Sequence, residues 1–255
     1  MSGTQKPGYM RSQLTAIVML CLAAAIAPQA VAQVCGPNIT LIADQWRMVG
    51  VPCDPGANNT IGDVFGPSLG AANYGVTWIA WKYVYDAPQQ CAVASGPADC
   101  YTKLALASTV SAGDAFWIYT TQQVTLDYSS IVAATPGPYF EFPAKTAQSN
   151  TTPRYYMFAN PYGSTVNWAD LRFTGSVFGF PVNFSTQQAT GAILSLATAN
   201  VHYWNGSNTY YTRSLTSIPA ATFVPKEAAW LEMLQGLSPF VQNLMVQVPK
   251  PNSAP

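Results

Sequence analysis

Short runs in which large apolar residues alternate with other residue types recur along this chain, and several stop at proline. "WRMVGVP" at 46–52 and "YYMFANP" at 155–161 each carry an aromatic residue, a methionine two places on and a closing proline. A period of two predicts a strand. The proline predicts the turn that ends it, because it has no N–H to give a ladder. "WIAWKYVY" (78–85) and "VHYW" (201–204) are further aromatic strand candidates, and tryptophan strands around Trp117 and Trp230 close the two series. Asn205-Gly206 tolerates positive φ and predicts a tight hairpin between "VHYW" and "YYTR". The best helix candidate is "STQQATGAILSLATAN" at 185–200, with Ser185 as its cap.

The runs come twice in the same order. Trp46 and Tyr155 are 109 positions apart, Tyr101-Thr102-Lys103 and Tyr211-Thr212-Arg213 are 110 apart, and Trp117 and Trp230 are 113 apart. "IGDVF" at 61–65 is echoed by "NWADLRF" at 167–173, each with an aspartate before an aliphatic residue. Matched landmarks at nearly one spacing predict an internal duplication. The expected organisation is a leader at 1–32, a first β unit at 33–128, a connecting segment at 129–154 rich in Pro, Thr and Ser, a second β unit at 155–234, and a C-terminal extension at 235–255. The expected fold is all-β, or mostly β with one or two short helices. Its two related units pack as one body, in the manner of a β-sandwich.

Composition adds a compartment. Hydrophobic residues make up 49% of the 255 positions and charged residues only 9%, against about 25% in an ordinary soluble domain. Lys6 and Arg11 precede an apolar run, "LTAIVMLCLAAAIA", and Ala30-Val31-Ala32 is a small-x-small cleavage site. That combination reads as a secretory signal peptide and places the product outside the cytoplasm, secreted, periplasmic or at the cell surface. Cleavage leaves 9 basic and 11 acidic residues, and no basic run suited to nucleic acid. No later apolar run reaches the ~20 residues that span a bilayer. Residues 33–145 carry 4 basic and 8 acidic side chains and residues 146–255 carry 5 and 3, which permits a homo-oligomer through head-to-tail contact.

Cys21 leaves with the leader, and Cys35, Cys53, Cys91 and Cys100 remain, an even number for an oxidising compartment. Three connectivities are open. Nearest neighbours, Cys35–Cys53 and Cys91–Cys100, close the shortest loops and are expected, the second stapling an enlarged hairpin. The spacing does not suit zinc, and no cofactor is expected.

"WRMVGVP", "IGDVFG", "WKY" and "SAGDAFWIY" together resemble a repeated module of bacterial secreted and cell-surface proteins. Such modules open on a Trp-rich strand ending in Pro and close on a Gly-x-Ala-Phe-Trp strand. Gly113 to Trp117 fits that closing pattern. Lys226 to Trp230 has lost the glycine and one aromatic residue. The resemblance implies a surface role and transfers no catalytic residue.

Candidate chemistry is sparse. Gly66-Pro67-Ser68-Leu69-Gly70 matches the nucleophile elbow Gly-x-Ser-x-Gly, with Asp114, Asp170 and His202 downstream in α/β-hydrolase order. The flanking sequence lacks the strand-to-helix context, so a turn is expected there. His202, the only histidine, reads as a strand residue. Glycoside hydrolysis needs only two facing carboxylates, and Asp114, Glu141, Asp170 and Glu227 are the candidates. "DPGANNTIGD" at 54–63 lacks calcium-loop spacing and reads as an Asn/Gly loop. Trp46, Trp117 and Trp230 hold repeat-defining places and are expected in the core. Trp81, Tyr83, Tyr85, Trp204 and Tyr210 flank the hairpins and are the candidate ligand-binding aromatics. The expected function is a non-enzymatic binding or structural protein: adhesion, glycan contact or assembly with other surface proteins. A polysaccharide hydrolase is the alternative.

Overall fold

The computed structural model describes residues 35, 38–83, 101–129, 131, 138–144, 154–174, 182–183, 200–204, 210–214, 222–233 and 244–251. The leader, the 185–200 helix candidate, the Asn205-Gly206 turn, Tyr85, Cys91 and Cys100 lie outside them. The described chain is mostly β. No helix among these residues is long and apolar enough to cross a membrane.

The first half contains β1 (Ile39–Leu41), β2 (Gln45–Gly50), α1 (Ile61–Leu69), β3 (Trp78–Tyr83), β4 (Tyr101–Lys103), β5 (Ala115–Thr120) and β6 (Val124–Leu126). Four strands form an antiparallel sheet in the order β2-β5-β3-β4, and β1 pairs with β6. The alternation read from the sequence sets the faces. Val49, Phe116 and Ile118 point to one core, and Met48, Ala115 and Trp117 point to another.

α1 was concealed in the sequence, where "GPSLG" reads as a turn. Thr60 is its N-cap: Asp63 N–H donates to Thr60 Oγ1 at 3.1 Å, and Thr60 N–H donates to Asp63 Oδ2 at 3.2 Å. That reciprocal capping box satisfies donors the first turn leaves open. Ile61, Val64, Phe65 and Leu69 form one buried stripe against the sheet. Burying each such side chain contributes about 1.5–3 kcal/mol, enough to carry the helix through Pro67, whose ring sits on the exposed side.

The second half contains β7 (Tyr139–Ala144), β8 (Arg154–Ala159), β9 (Val166–Asn167), a 3₁₀ turn (Trp168–Asp170), β10 (Arg172–Thr174), β11 (Val182–Asn183), β12 (Asn200–Trp204), β13 (Tyr210–Ser214), β14 (Thr222–Phe223), β15 (Ala228–Met233) and β16 (Leu244–Pro249). One sheet runs β8-β15-β12-β13 and a second runs β11-β10-β16-β7, with β9 and β14 paired beside them. The segment expected to be a connection therefore contributes β7, and the expected C-terminal extension contributes β16. Tyr162 and Asn160 tie this half together. Tyr162 Oη donates to Val248 O at 2.9 Å, and buried Asn160 donates to Phe223 O at 2.7 Å.

β2-β5-β3-β4 and β8-β15-β12-β13 have the same strand order, and equivalent pairs face each other within them. Met48 opposes Trp117 as Met157 opposes Trp230, and Gly50 opposes Ala115 as Ala159 opposes Ala228. The Thr60–Thr109 bridge matches the pairing of Asn167 with Thr222. One sequence match shifts. Trp81 faces both Trp117 and Lys103, and His202 faces both Trp230 and Thr212. The place of Lys103 thus belongs to Thr212, not Arg213, and a one-residue slip exchanges the faces of a strand.

The two sheets meet through Met48, Ala115, Trp117, Ala159, Ala228 and Trp230. Their main chains also touch reciprocally: Gly50 N–H donates to Lys226 O at 3.0 Å, and Ala159 N–H donates to Gly113 O at 2.8 Å. Each bond joins the strand end of one half to the turn of the other, as an isologous contact does. Gly50 is glycine for a local reason: a Cβ there would lie 2.0 Å from the Ala159 Cβ.

Candidate functional site

The expected aromatic ligand site divides. Trp81 and Tyr83 on β3 are half-buried against the cluster between the sheets, and the Tyr83 ring centroid lies 4.8 Å from that of Trp230. Trp204 and Tyr210 oppose each other where β12 meets β13, as expected of hairpin-flanking residues. Trp117 and Trp230 are core residues, but Trp46 is at the surface, stacked at a tilt on Tyr119.

The candidate acids are dispersed, each held by its own neighbours. Asp114 forms an ion pair with Lys82 at 2.7 Å and accepts from Ser111 N–H at 2.9 Å. Glu227 accepts from Val224 N–H at 3.3 Å in the matching turn. Asp170 accepts from Asn167 Nδ2 at 3.2 Å, and Glu141 accepts from Gln247 Nε2. Asp114 and Glu227 therefore close the turns that precede the tryptophan strands. Ser68 lies in the last turn of α1, where its hydroxyl accepts from Asp127 N–H at 2.9 Å. His202 packs its ring against Tyr155, two strands away in the same sheet.

A different site is built on the outer face of β11-β10-β16-β7. Phe140 and Phe142 on β7, Phe173 on β10 and Val246 and Val248 on β16 face the core. The residues between them are turned outward by the same period of two, which brings Tyr139, Glu141, Arg172 and Gln247 to the opposite face. Arg172, Gln247 and Glu141 form one row across three strands. Tyr139 is 40% exposed, and the Arg172 guanidinium lies 5.4 Å above its ring centroid while donating from Nη1 to Tyr139 Oη at 3.2 Å. Beside them opens a cleft of about 750 Å³, lined by Tyr139, Arg172, Asn167, Asp170 and Lys250 and edged by prolines. Known ligand clefts span ~300–1,000 Å³.

The cleft gathers an aromatic face, two cations, one carboxylate and an amide. Asp170 is fixed by Asn167, so it enters as an acceptor already oriented. Sequence reading missed this site because β7 and β16 lie in segments read as connection and extension. The alternation in "YFEF" (139–142) and "MVQVP" (245–249) was its available signal.

Among the described residues no group of three or more His, Cys, Asp or Glu side chains is placed to hold a metal ion. Cys35 and Cys53 lie sulfur to sulfur with Cα atoms 5.8 Å apart, the separation a disulfide takes. The chain matches no family model, no curated protein and no solved structure.

Proposed function

We propose that this is an extracytoplasmic binding protein, secreted or held at a cell surface, built from two copies of one β module, and that it contacts glycans through the cleft beside Tyr139. The observation that carries the reading is the exposed Tyr139 ring set among planar polar groups, Arg172 and Asn167–Asp170, in a ligand-sized cleft. A sugar ring offers an apolar face to an aromatic ring and hydroxyls around its edge, and this arrangement answers both. The dispersal of the four acids favours binding over hydrolysis, which requires two carboxyl groups to face one scissile bond. Fractionation of producing cells tests the compartment. A glycan array probed with the purified chain tests the binding, and Tyr139→Ala is expected to abolish retention of every bound glycan. An array without binding, or one that Tyr139→Ala leaves unchanged, refutes the glycan reading.

A further inference from the structure

Resting on that glycan reading, we infer that the cleft selects sugars bearing a carboxylate, with Arg172 as the fork and Lys250 as a second cation. Arg172 carries five N–H donors, and among the described residues its hydrogen bonding is confined to the one given to Tyr139 Oη. The cation–π contact with the Tyr139 ring and the bond to Tyr139 Oη hold the guanidinium at the cleft before a ligand arrives. Lys250 lines the same cleft and is anchored through its main chain, N–H to Pro138 O at 2.9 Å. Among the described residues neither Arg172 nor Lys250 lies within ion-pair distance of a carboxylate.

The charge count of the cleft is two cations against Asp170, and Asp170 already accepts from Asn167. A neutral sugar would displace water from both cations while bringing no charge to offset the excess positive one. A uronate would place its carboxylate on the fork, where charge-assisted, bidentate hydrogen bonds are strongest. Tyr139 then takes the apolar face of the ring and Asp170 a hydroxyl. The corresponding region of the first half differs in charge. The cleft beside Asp63, about 680 Å³, is lined by Gly56, Asn58 and Pro67 and has no cation. Acid selectivity is therefore assigned to the second half alone.

The test is calorimetric titration of the whole purified chain with oligomers of galacturonate, mannuronate and hyaluronan, each beside its carboxyl-reduced form. At least one acidic oligomer is expected to bind roughly tenfold tighter than its reduced form, the discrimination one charged hydrogen-bonded contact supplies. That preference should weaken steeply with added salt and vanish in Arg172→Gln, with Lys250→Gln reducing it. Arg172→Lys, which keeps the charge without the fork, should recover only part. Equal affinity for acidic and reduced forms overturns the inference while leaving glycan binding intact. Failure of all probes, together with a blank array, overturns both. Should Arg172→Gln not fold, the comparison of acidic with reduced oligomers on the unaltered chain, and Lys250→Gln, still decide the matter.

Discussion

Two residues show how equivalent places in the halves are filled differently. Gly113 and Lys226 both sit at positive φ, +77° and +64°, in the turns closed by Asp114 and Glu227. Glycine adopts this conformation without strain, whereas lysine is rare there. Lys226 is buried, with its ammonium 4.4 Å above the Tyr128 ring. Burial lowers its pKa from 10.5 to about 8, opposed in part by the Asp127 carboxylate. Between those values the folded chain binds fewer protons than the unfolded one, so stability must rise with pH. Buried Tyr128 and Tyr162 act in the opposite sense. Their phenols are raised above the ordinary 10.0, that of Tyr162 to about 12, so stability falls once unfolded tyrosines ionise. Thermal scans should therefore show a melting temperature that climbs from about pH 8 towards 10 and declines above it. Lys226→Met should remove the climb and keep the decline.

Gly50 gives a second test at this scale. Its absent Cβ is the space that Ala159 occupies, so Gly50→Ala should cost about 1–3 kcal/mol by overpacking. The double variant Gly50→Ala/Ala159→Gly moves the methyl to the other half and should recover most of that loss in denaturant unfolding. No recovery would show that the damage lies elsewhere than in this contact.

Among elements, α1 and β7 were the hardest to read. A proline and two glycines hid α1, because propensity weighed more heavily than the Thr60–Asp63 capping box and the stripe of Ile61, Val64, Phe65 and Leu69. Both signals were present in "TIGDVFGPSL". Thr60→Ala removes the cap and is expected to cost about 1 kcal/mol, measured as a shift of the urea midpoint at unchanged slope. β7 was hidden differently. Its alternation is legible, but a strand needs a partner, and its partner β16 lies about a hundred residues further on. The slip between "YTK" and "YTR" has the same origin in strand pairing. Similar letters suggested one alignment, and the ladder partners of Trp81 and His202 impose another.

At the scale of the whole molecule, the faces carrying Met48 with Trp117 and Met157 with Trp230 cover each other. Neither half can expose its face to water without leaving a large apolar patch. Residues 33–131 expressed alone should therefore self-associate, the Gly50 strand end of one copy meeting the Gly113 turn of the next in place of Ala159 and Lys226. Sedimentation should find the isolated half at twice its own chain mass. A soluble monomeric half would argue against this interface.

By itself the sequence determined the β class, the alternation along the strands and the core places of Trp117 and Trp230, because side-chain periodicity is a local property written in adjacent letters. It also placed Asp114 and Glu227 at matching turns. The tertiary structure alone decided which distant strands pair, and so brought Tyr139, Arg172 and Lys250 from segments far apart in the chain to one cleft. It decided as well that Trp81 and Tyr83 lie half-buried against the cluster between the halves. Those outcomes depend on which apolar faces cover each other, a choice made between segments rather than within them.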